Sequence, residues 1–156
     1  MRVLVVSDTH GDEWALRRAV EEQPTARVLL HLGDGAREAA DIAERFPALT
    51  VYGVRGNCDL GCADVPDRRD EYVEGKHIFM THGHIYHVKY RLYTLECAAR
   101  ERGANIVLFG HTHTPLTDYA DGLHLLNPGS LRYGGTYGFI DIVRGGIVTN
   151  IVHARL

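Results

Sequence analysis

Seven side chains stand out by type and position: the carboxylates Asp8 and Asp34, the imidazoles His10, His82, His111 and His113, and the amide of Asn57. Each lies at or just past the end of an apolar run. Val5-Val6-Ser7-Asp8-Thr9-His10-Gly11 sets the pattern, with Asp-x-His directly after Arg2–Val6. Alternate residues of an extended segment point the same way. If still extended, Asp8 and His10 therefore project a carboxylate and an imidazole from one side of a strand end. Asp8 taken alone reads equally well as a helix cap. The same strand-then-polar-turn design recurs at Gly33-Asp34, Gly56-Asn57, His82-Gly83-His84 and Gly110-His111-Thr112-His113, which favours metal ligation. Mixed oxygen and nitrogen donors suit Mn, Fe, Ni, Zn or Co, and neither an all-oxygen Ca site nor a thiolate Zn site. Seven ligands exceed the need of one tetrahedral ion and match two ions sharing a carboxylate, which in two-metal hydrolases lie roughly 3.5–4 Å apart. Such a pair polarises a phosphoryl oxygen and lowers the pKa of a bridging water.

The elements that must position these groups follow from the hydrophobic pattern. Arg2–Val6, Arg27–Leu32 and Leu49–Val54 read as strands covered on both faces, and β-branched runs without polar alternation favour that setting. A helix is expected from Gly11-Asp12 to about Glu22, with Trp14, Leu16, Ala19 and Val20 as its apolar stripe. A second spans about Arg37 to Phe46. Three strand-loop-helix units of this kind imply a parallel sheet with right-handed crossovers. Residues 60–70 read as an exposed loop, followed by a hairpin of Glu71–Val73 and His77–Thr81 around Glu74-Gly75-Lys76. A helix over Val88–Arg102 and a strand over Asn105–Phe109 come next. Asp121-Gly122 and Gly145-Gly146 then mark two more hairpins, so the C-terminal half reads as antiparallel. The expected fold is α/β with an α+β-like second half: a four-layer αββα sandwich of two mixed β-sheets flanked by helices.

In this order the motifs resemble those of the calcineurin-like metallophosphoesterases, and among them the small YfcE-type phosphodiesterases. The likeness is carried by Asp8-x-His10, Gly33-Asp34, Gly56-Asn57-Cys58-Asp59, His82-Gly83-His84, Gly110-His111-x-His113 and Asn127-Pro128-Gly129-Ser130, and it spans nearly the whole chain. It implies a dinuclear metal-dependent phosphoesterase, first of all a phosphodiesterase, whose nucleophile is a metal-bridging hydroxide. Asp8, His10 and His113 would hold the first ion, Asn57, His82 and His111 the second, with Asp34 bridging. Asp34, Asn57 and His82 are thereby the catalytic expectation. Mn2+ is the first choice of ion, with Ni2+, Fe2+, Zn2+ and Co2+ as alternatives. Many phosphatases of the superfamily have, after the Asn, a His thought to protonate the leaving oxygen; here Cys58 stands in that place, as in the YfcE-like branch. Cys58, His84 and Arg132 are candidate substrate contacts.

Other classes remain in competition. A non-catalytic scaffold is one, as in the retromer subunit related to this family, but all seven positions hold competent ligands. A nuclease is weakened by the net charge of −3 and the lack of an added DNA-binding domain. The expected partner is a small phosphorylated substrate, without membrane or nucleic acid, and exposed hairpin edges permit a homodimer. The length fits one domain over 1–156, and 45% hydrophobic with 24% charged residues is ordinary for a soluble protein, read as cytoplasmic. Cys58, Cys62 and Cys97 are too few and scattered for a disulfide framework. His31, inside a strand, reads as a hydrogen-bonded core residue, and His77, His124 and His153 as sheet positions. Asp59 reads as a turn or ligand-supporting group, His87 and Tyr133 as residues bordering the site, and Tyr86, Tyr90 and Tyr93 as packing residues.

Overall fold

The computed structural model describes residues 1–155; Leu156, the last position of the expected domain, lies outside the described residues. The first sheet joins β1 (Arg2–Val6), β2 (Ala26–His31) and β3 (Thr50–Gly53) in parallel with a returning hairpin of β9 (Thr136–Val143) and β10 (Gly146–His153), in the order β10-β9-β1-β2-β3. The second contains β4 (Arg68–Val73), β5 (Lys76–Thr81), β6 (Ile106–Leu108), β7 (Leu116–Ala120) and β8 (Leu123–Asn127), in the order β4-β5-β6-β8-β7.

Side-chain alternation assigns each sheet two buried faces. Val3 and Val5 of β1 meet Ile78 and Met80 of β5 and Leu108 of β6 between the sheets. Leu4 and Val6 point the other way, against Leu16 and Ala19 of α1 (Glu13–Glu22) and Ile42 of α2 (Ala36–Arg45). Phe79 and Val107 likewise turn outward onto Leu95 and Ala99 of α3 (Tyr93–Glu101). The layers are thus helix, sheet, sheet, helix, as the hydrophobic pattern implies.

Several local expectations are corrected. Leu16, Ala19 and Val20 form the buried stripe of α1 as expected, but Trp14 is 55% exposed and Ala15 takes its place. The expected helix from Val88 begins only at Tyr93. A 3-10 turn at His84–Tyr86 ends in His87 with φ 56°, a left-handed backbone that no helix continues through, and Val88 is buried beside Gly83. β4 starts at Arg68, inside the expected loop; its charged residues suit an edge strand, which faces water along one side. No helix follows β3, because residues 54–67 cross to the second sheet. The hairpins β7–β8 and β9–β10 form as expected, but β8 runs parallel to β6, so the C-terminal half is mixed rather than antiparallel.

Candidate metal centre

The turns after β1, β2, β5 and β6 meet at one edge of the sandwich. Asp8 Oδ1 lies 3.0 Å from His113 Nε2, 3.4 Å from His10 Nε2 and 4.0 Å from His82 Nε2. Asp34 Oδ2 lies 3.3 Å from His82 Nε2 and 3.8 Å from His10 Nε2. His111 Nδ1 is 3.2 Å from His82 Nε2. Six of the seven expected ligands are therefore brought together.

These residues do not get there by strand alternation. Asp8, His10, Asp34, His111 and His113 all have positive φ, between 42° and 69°, and they make up five of the eight non-glycine residues with positive φ among those described. Left-handed backbone costs a non-glycine residue on the order of 1–3 kcal/mol and persists only where the surroundings impose it. Here the loops impose it on one another. The Asp8 N–H donates to Gly33 O at 3.0 Å and the His10 N–H to Asp34 O at 2.9 Å. From behind, Ser130 Oγ donates to Asp8 O at 2.9 Å and the Leu131 N–H to Ser7 O at 3.1 Å, which gives the Asn127-Pro128-Gly129-Ser130 segment its task. Gly56 and Gly110 serve by lacking a Cβ: one on Gly56 would overlap Asp34 Oδ1, and one on Gly110 would overlap Ser7 Oγ and approach Asp8 Oδ2.

The two carboxylates are wired alike. Asp8 Oδ2 accepts from Ser7 Oγ and the His111 N–H, and Asp34 Oδ1 accepts from the Cys58 N–H at 2.8 Å. In each, the other oxygen faces the imidazoles. Burial alone would raise the Asp34 carboxyl, but the hydrogen bond and charge of His82 and the Cys58 N–H outweigh it and hold it well below the usual carboxylate range. His82 is the mirror case. Burial would lower it, yet Asp34 and Asp8 raise it, so this point favours positive charge. His111 is pushed down to about 4 by desolvation, with His82 and Lys89 adding repulsion, and stays a neutral ligand at pH 7. His10 Nε2 is buried without a hydrogen-bond partner. Such an orphan is costly unless something binds there. A field that favours a cation, ionised oxygens and an unpartnered imidazole nitrogen together fit a divalent metal.

The other expected site residues divide. Asn57 stays outside the cluster: it is exposed, its Nδ2 lies 3.5 Å from Cys58 Sγ, and it lines a separate cleft of about 420 Å3 with Arg55, Asp67 and His84. Cys58 Sγ lies within 4.8 Å of ligand atoms of His10 and Asp34 instead. Partial desolvation and the Asp34 charge push its thiol up, so it remains protonated. His84 packs near His82 and His111, at 5.4 and 6.1 Å between ring centroids, and burial lowers it. Arg132 was expected to meet substrate; its guanidinium donates to the His10 carbonyl. His87 is exposed in its left-handed turn.

A model of the calcineurin-like phosphoesterase superfamily domain matches residues 1–144. The chain belongs to that superfamily. Among curated relatives, the probable metallophosphoesterase YsnB of Bacillus subtilis is 34% identical over 134 residues, covering 85% of this chain and 76% of its own. Phosphodiesterase YfcE of Escherichia coli is 30% identical over 168 residues, covering 90% and 88%. A solved structure from Streptococcus pneumoniae, described as a predicted phosphoesterase, superposes with a TM-score of 0.84 at 25% identity, covering 97% of this chain and 88% of that one. The protein is thus a metal-dependent phosphoric ester hydrolase of the calcineurin-like type. No helix among the described residues is long and apolar enough to cross a membrane.

Residues behind the cluster support this phosphoesterase site, among them His31 and Asp59 in the roles their positions imply. Gly33 N–H donates to His31 Nδ1 at 3.2 Å, so the proton of this buried, neutral imidazole sits on Nε2, which donates to Thr9 Oγ1 at 3.0 Å. Thr9 in turn donates to Glu38 Oε2 at 2.8 Å, and the Gly11 N–H also reaches that oxygen. His31 is the hydrogen-bonded core residue its strand position implies; Thr9 and Glu38 were not foreseen as its partners. Asp59 accepts from the N–H groups of Asp34, Gly35, Ala36 and Gly56 at 2.8–3.0 Å, capping α2 and fastening the Gly56 turn to the Asp34 turn.

Proposed function

We propose that the protein is a two-metal phosphodiesterase acting on a small or flexible phosphodiester. Asp8, His10, Asp34, His82, His111 and His113 serve as ligands, with Asp34 shared between the ions. Asn57 is the proposed seventh ligand, on the strength of its place beside Cys58, whose N–H holds Asp34. Mn2+ is the first candidate ion, and Ni2+, Fe2+, Zn2+ and Co2+ fit the same donors. The observation that carries the reading is the convergence of two carboxylate oxygens and four imidazoles on one point, with His10 Nε2 near both carboxylates yet without a hydrogen-bond partner.

Bound divalent ions supply Lewis acidity toward phosphoryl oxygens and make a water-derived nucleophile available at neutral pH. The chain's own groups do the rest. Asp34 stays ionised, and His111 stays neutral. His82 donates a hydrogen bond from Nδ1–H to the Leu32 carbonyl at 2.7 Å, which turns Nε2 into the site. Cys58 remains a thiol where a stronger proton donor to the leaving oxygen would otherwise stand, so esters with stable leaving groups are favoured. His84, whose buried Nδ1 has no partner, is a proposed substrate contact.

The test is to strip the protein of metal, restore Mn2+, Ni2+, Zn2+ or Mg2+, and assay bis-p-nitrophenyl phosphate beside p-nitrophenyl phosphate and an alkyl monoester. The expected result is two equivalents of metal at full activity, preference for the diester, and loss of turnover in Asp34→Asn and His111→Ala. Higher efficiency on the alkyl monoester would overturn the diester reading. The absence of stoichiometric metal would place a scaffold role ahead of the enzyme.

A further inference from the structure

A cleft of about 460 Å3 opens directly beside the centre, with His10, Asp34 and Cys58 at its inner end. That volume falls within the roughly 300–1,000 Å3 of small-molecule sites. Beyond the ligands, its walls hold groups that no step of the reaction uses.

The charged groups in this cleft are unequally provided for. Asp34 accepts from Cys58, Glu38 from Thr9 and Gly11, and Asp59 from four backbone N–H groups. Every carboxylate of the lining is therefore engaged by the protein. Arg37 is the opposite. It projects from the first turn of α2, lies alongside Gly61, lines the cleft, and has neither a hydrogen bond nor an ion pair with any described residue. A guanidinium in that position is an unfilled anion receptor with a planar, bidentate donor set.

The apolar groups are equally uneven. Tyr133 is 64% exposed, although its ring rests on His113 at 5.6 Å with 26° between planes and on His10 at 5.1 Å. Its backbone is held by the N–H donated to Ser130 Oγ, and Arg132, tied to the His10 carbonyl, sits 5.4 Å from the ring centroid. Leu60, 80% exposed, lines the same cleft. An exposed aromatic ring and an exposed leucine beside a reaction centre form an apolar surface that a flat ligand group would cover.

We propose that this cleft takes one ester arm of the phosphodiester, and that this arm carries both an aromatic ring, stacked on Tyr133, and a second anionic group, paired with Arg37. The chemistry is that of a nucleotide arm rather than an alkyl or neutral sugar arm. The inference rests on the phosphodiesterase reading and narrows its substrate class. Arg37 is then a specificity-determining residue and takes no part in bond cleavage.

The test compares the p-nitrophenyl ester of thymidine 5′-phosphate with and without a 3′-phosphate, and both with methyl p-nitrophenyl phosphate, using metal-loaded protein. Wild type is expected to prefer the 3′-phosphorylated ester by about tenfold in kcat/KM, the scale of one exposed charge-assisted contact. Arg37→Ala brings that ratio to near one, and Arg37→Lys, which keeps the charge but not the fork, leaves it between. Tyr133→Leu lowers the ratio of the thymidine ester to the methyl ester. Calorimetric titration with thymidine 3′,5′-bisphosphate provides a second readout, with binding about tenfold weaker in Arg37→Ala. A wild type that treats the two thymidine esters alike, or an Arg37→Ala protein that keeps the preference, overturns the proposal. If no ester is cleaved with any metal, the phosphodiesterase reading fails on its own, while equal bisphosphate binding by wild type and Arg37→Ala refutes the cleft assignment.

Discussion

The Nδ1 atom of His82 stands 2.7 Å from the carbonyl oxygen of Leu32, the last apolar residue before the Gly33-Asp34 turn. That contact fixes the tautomer and aims Nε2 at Asp34, Asp8 and His111. A backbone carbonyl behind a ligating histidine is the usual way a protein orients such a ring. His82→Ala is expected to lose bound metal and to lower kcat/KM on the order of 10²–10³-fold, the worth of several kcal/mol of Lewis-acid stabilisation. Metal analysis of the purified variant together with diester kinetics checks both.

The relay from His31 through Thr9 to Glu38 predicts a cost for an isosteric change at a residue that is itself no ligand. Thr9→Val leaves the His31 Nε2 proton buried and unpaired, which destabilises by about 1–3 kcal/mol. It also frees the turn between Asp8 and His10, with an expected fall in metal affinity of about 10–100-fold. Thr9→Ser keeps the hydroxyl and should recover most of both. Urea unfolding and metal titration of the two variants give the answer.

Asp59 makes a second, separable prediction. Its carboxylate satisfies four backbone donors, one at the N-cap of α2 and one at its first residue. Asp59→Ala should cost about 2–4 kcal/mol, more than an ordinary helix cap, because the Asp34 and Gly56 turns come apart as well. Asp59→Asn retains an acceptor but sets an amide donor against N–H groups, so it should fall between. A variant as stable as wild type in urea would show that the four contacts are replaceable by water.

Tyr137 supplies the pH dependence. Burial pushes its phenol up to about 12, with Gln23 and Glu22 as hydrogen-bond partners. A folded-state value above the unfolded one, about 10, means that the contribution is fully present below pH 10 and is lost as pH rises toward 12. Tyr137→Phe should lower stability at neutral pH by about 1 kcal/mol and flatten the alkaline decline in that window. Thermal melts from pH 8 to 12 compare the two slopes.

The strands that carry the site were legible because each is an apolar run stopped by a polar turn. Six of the seven expected ligands meet for that reason. What the sequence hid depends on contacts between turns. The left-handed φ of Asp8, His10 and Asp34 is imposed by neighbouring loops, so the strand alternation that seemed to align Asp8 with His10 reached the right pairing by the wrong geometry. Asn57 illustrates the same limit, since its place after a strand said nothing of which cleft its side chain would enter. Arg37 lies in the first turn of α2 and Leu60 in the loop after β3, far apart in sequence, and they share a wall where Asp59 bonds the Gly56 turn to the start of α2. On α1 the stripe of Leu16, Ala19 and Val20 was legible, whereas Trp14 lies at its edge and stays exposed, since apolar type alone does not say on which side of that edge a residue falls.

Asp8 and Asp34 hang from the first sheet, whereas His82, His111 and His113 hang from the second. An ion held by both groups is a rivet through the sandwich, and its loss leaves the two halves joined by apolar contact and a few hydrogen bonds, such as those of His82 to the Leu32 carbonyl and of the His111 N–H to Asp8. Resistance to heat should therefore follow the free-ion concentration, gaining about 2.7 kcal/mol when the ion stands at a hundred times its dissociation constant. Chelation should lower the melting temperature and speed amide exchange at the inner edges of both sheets together. In a metal-starved cell the protein would be inactive and also easier for proteases to clear, so its abundance would track the ion it needs.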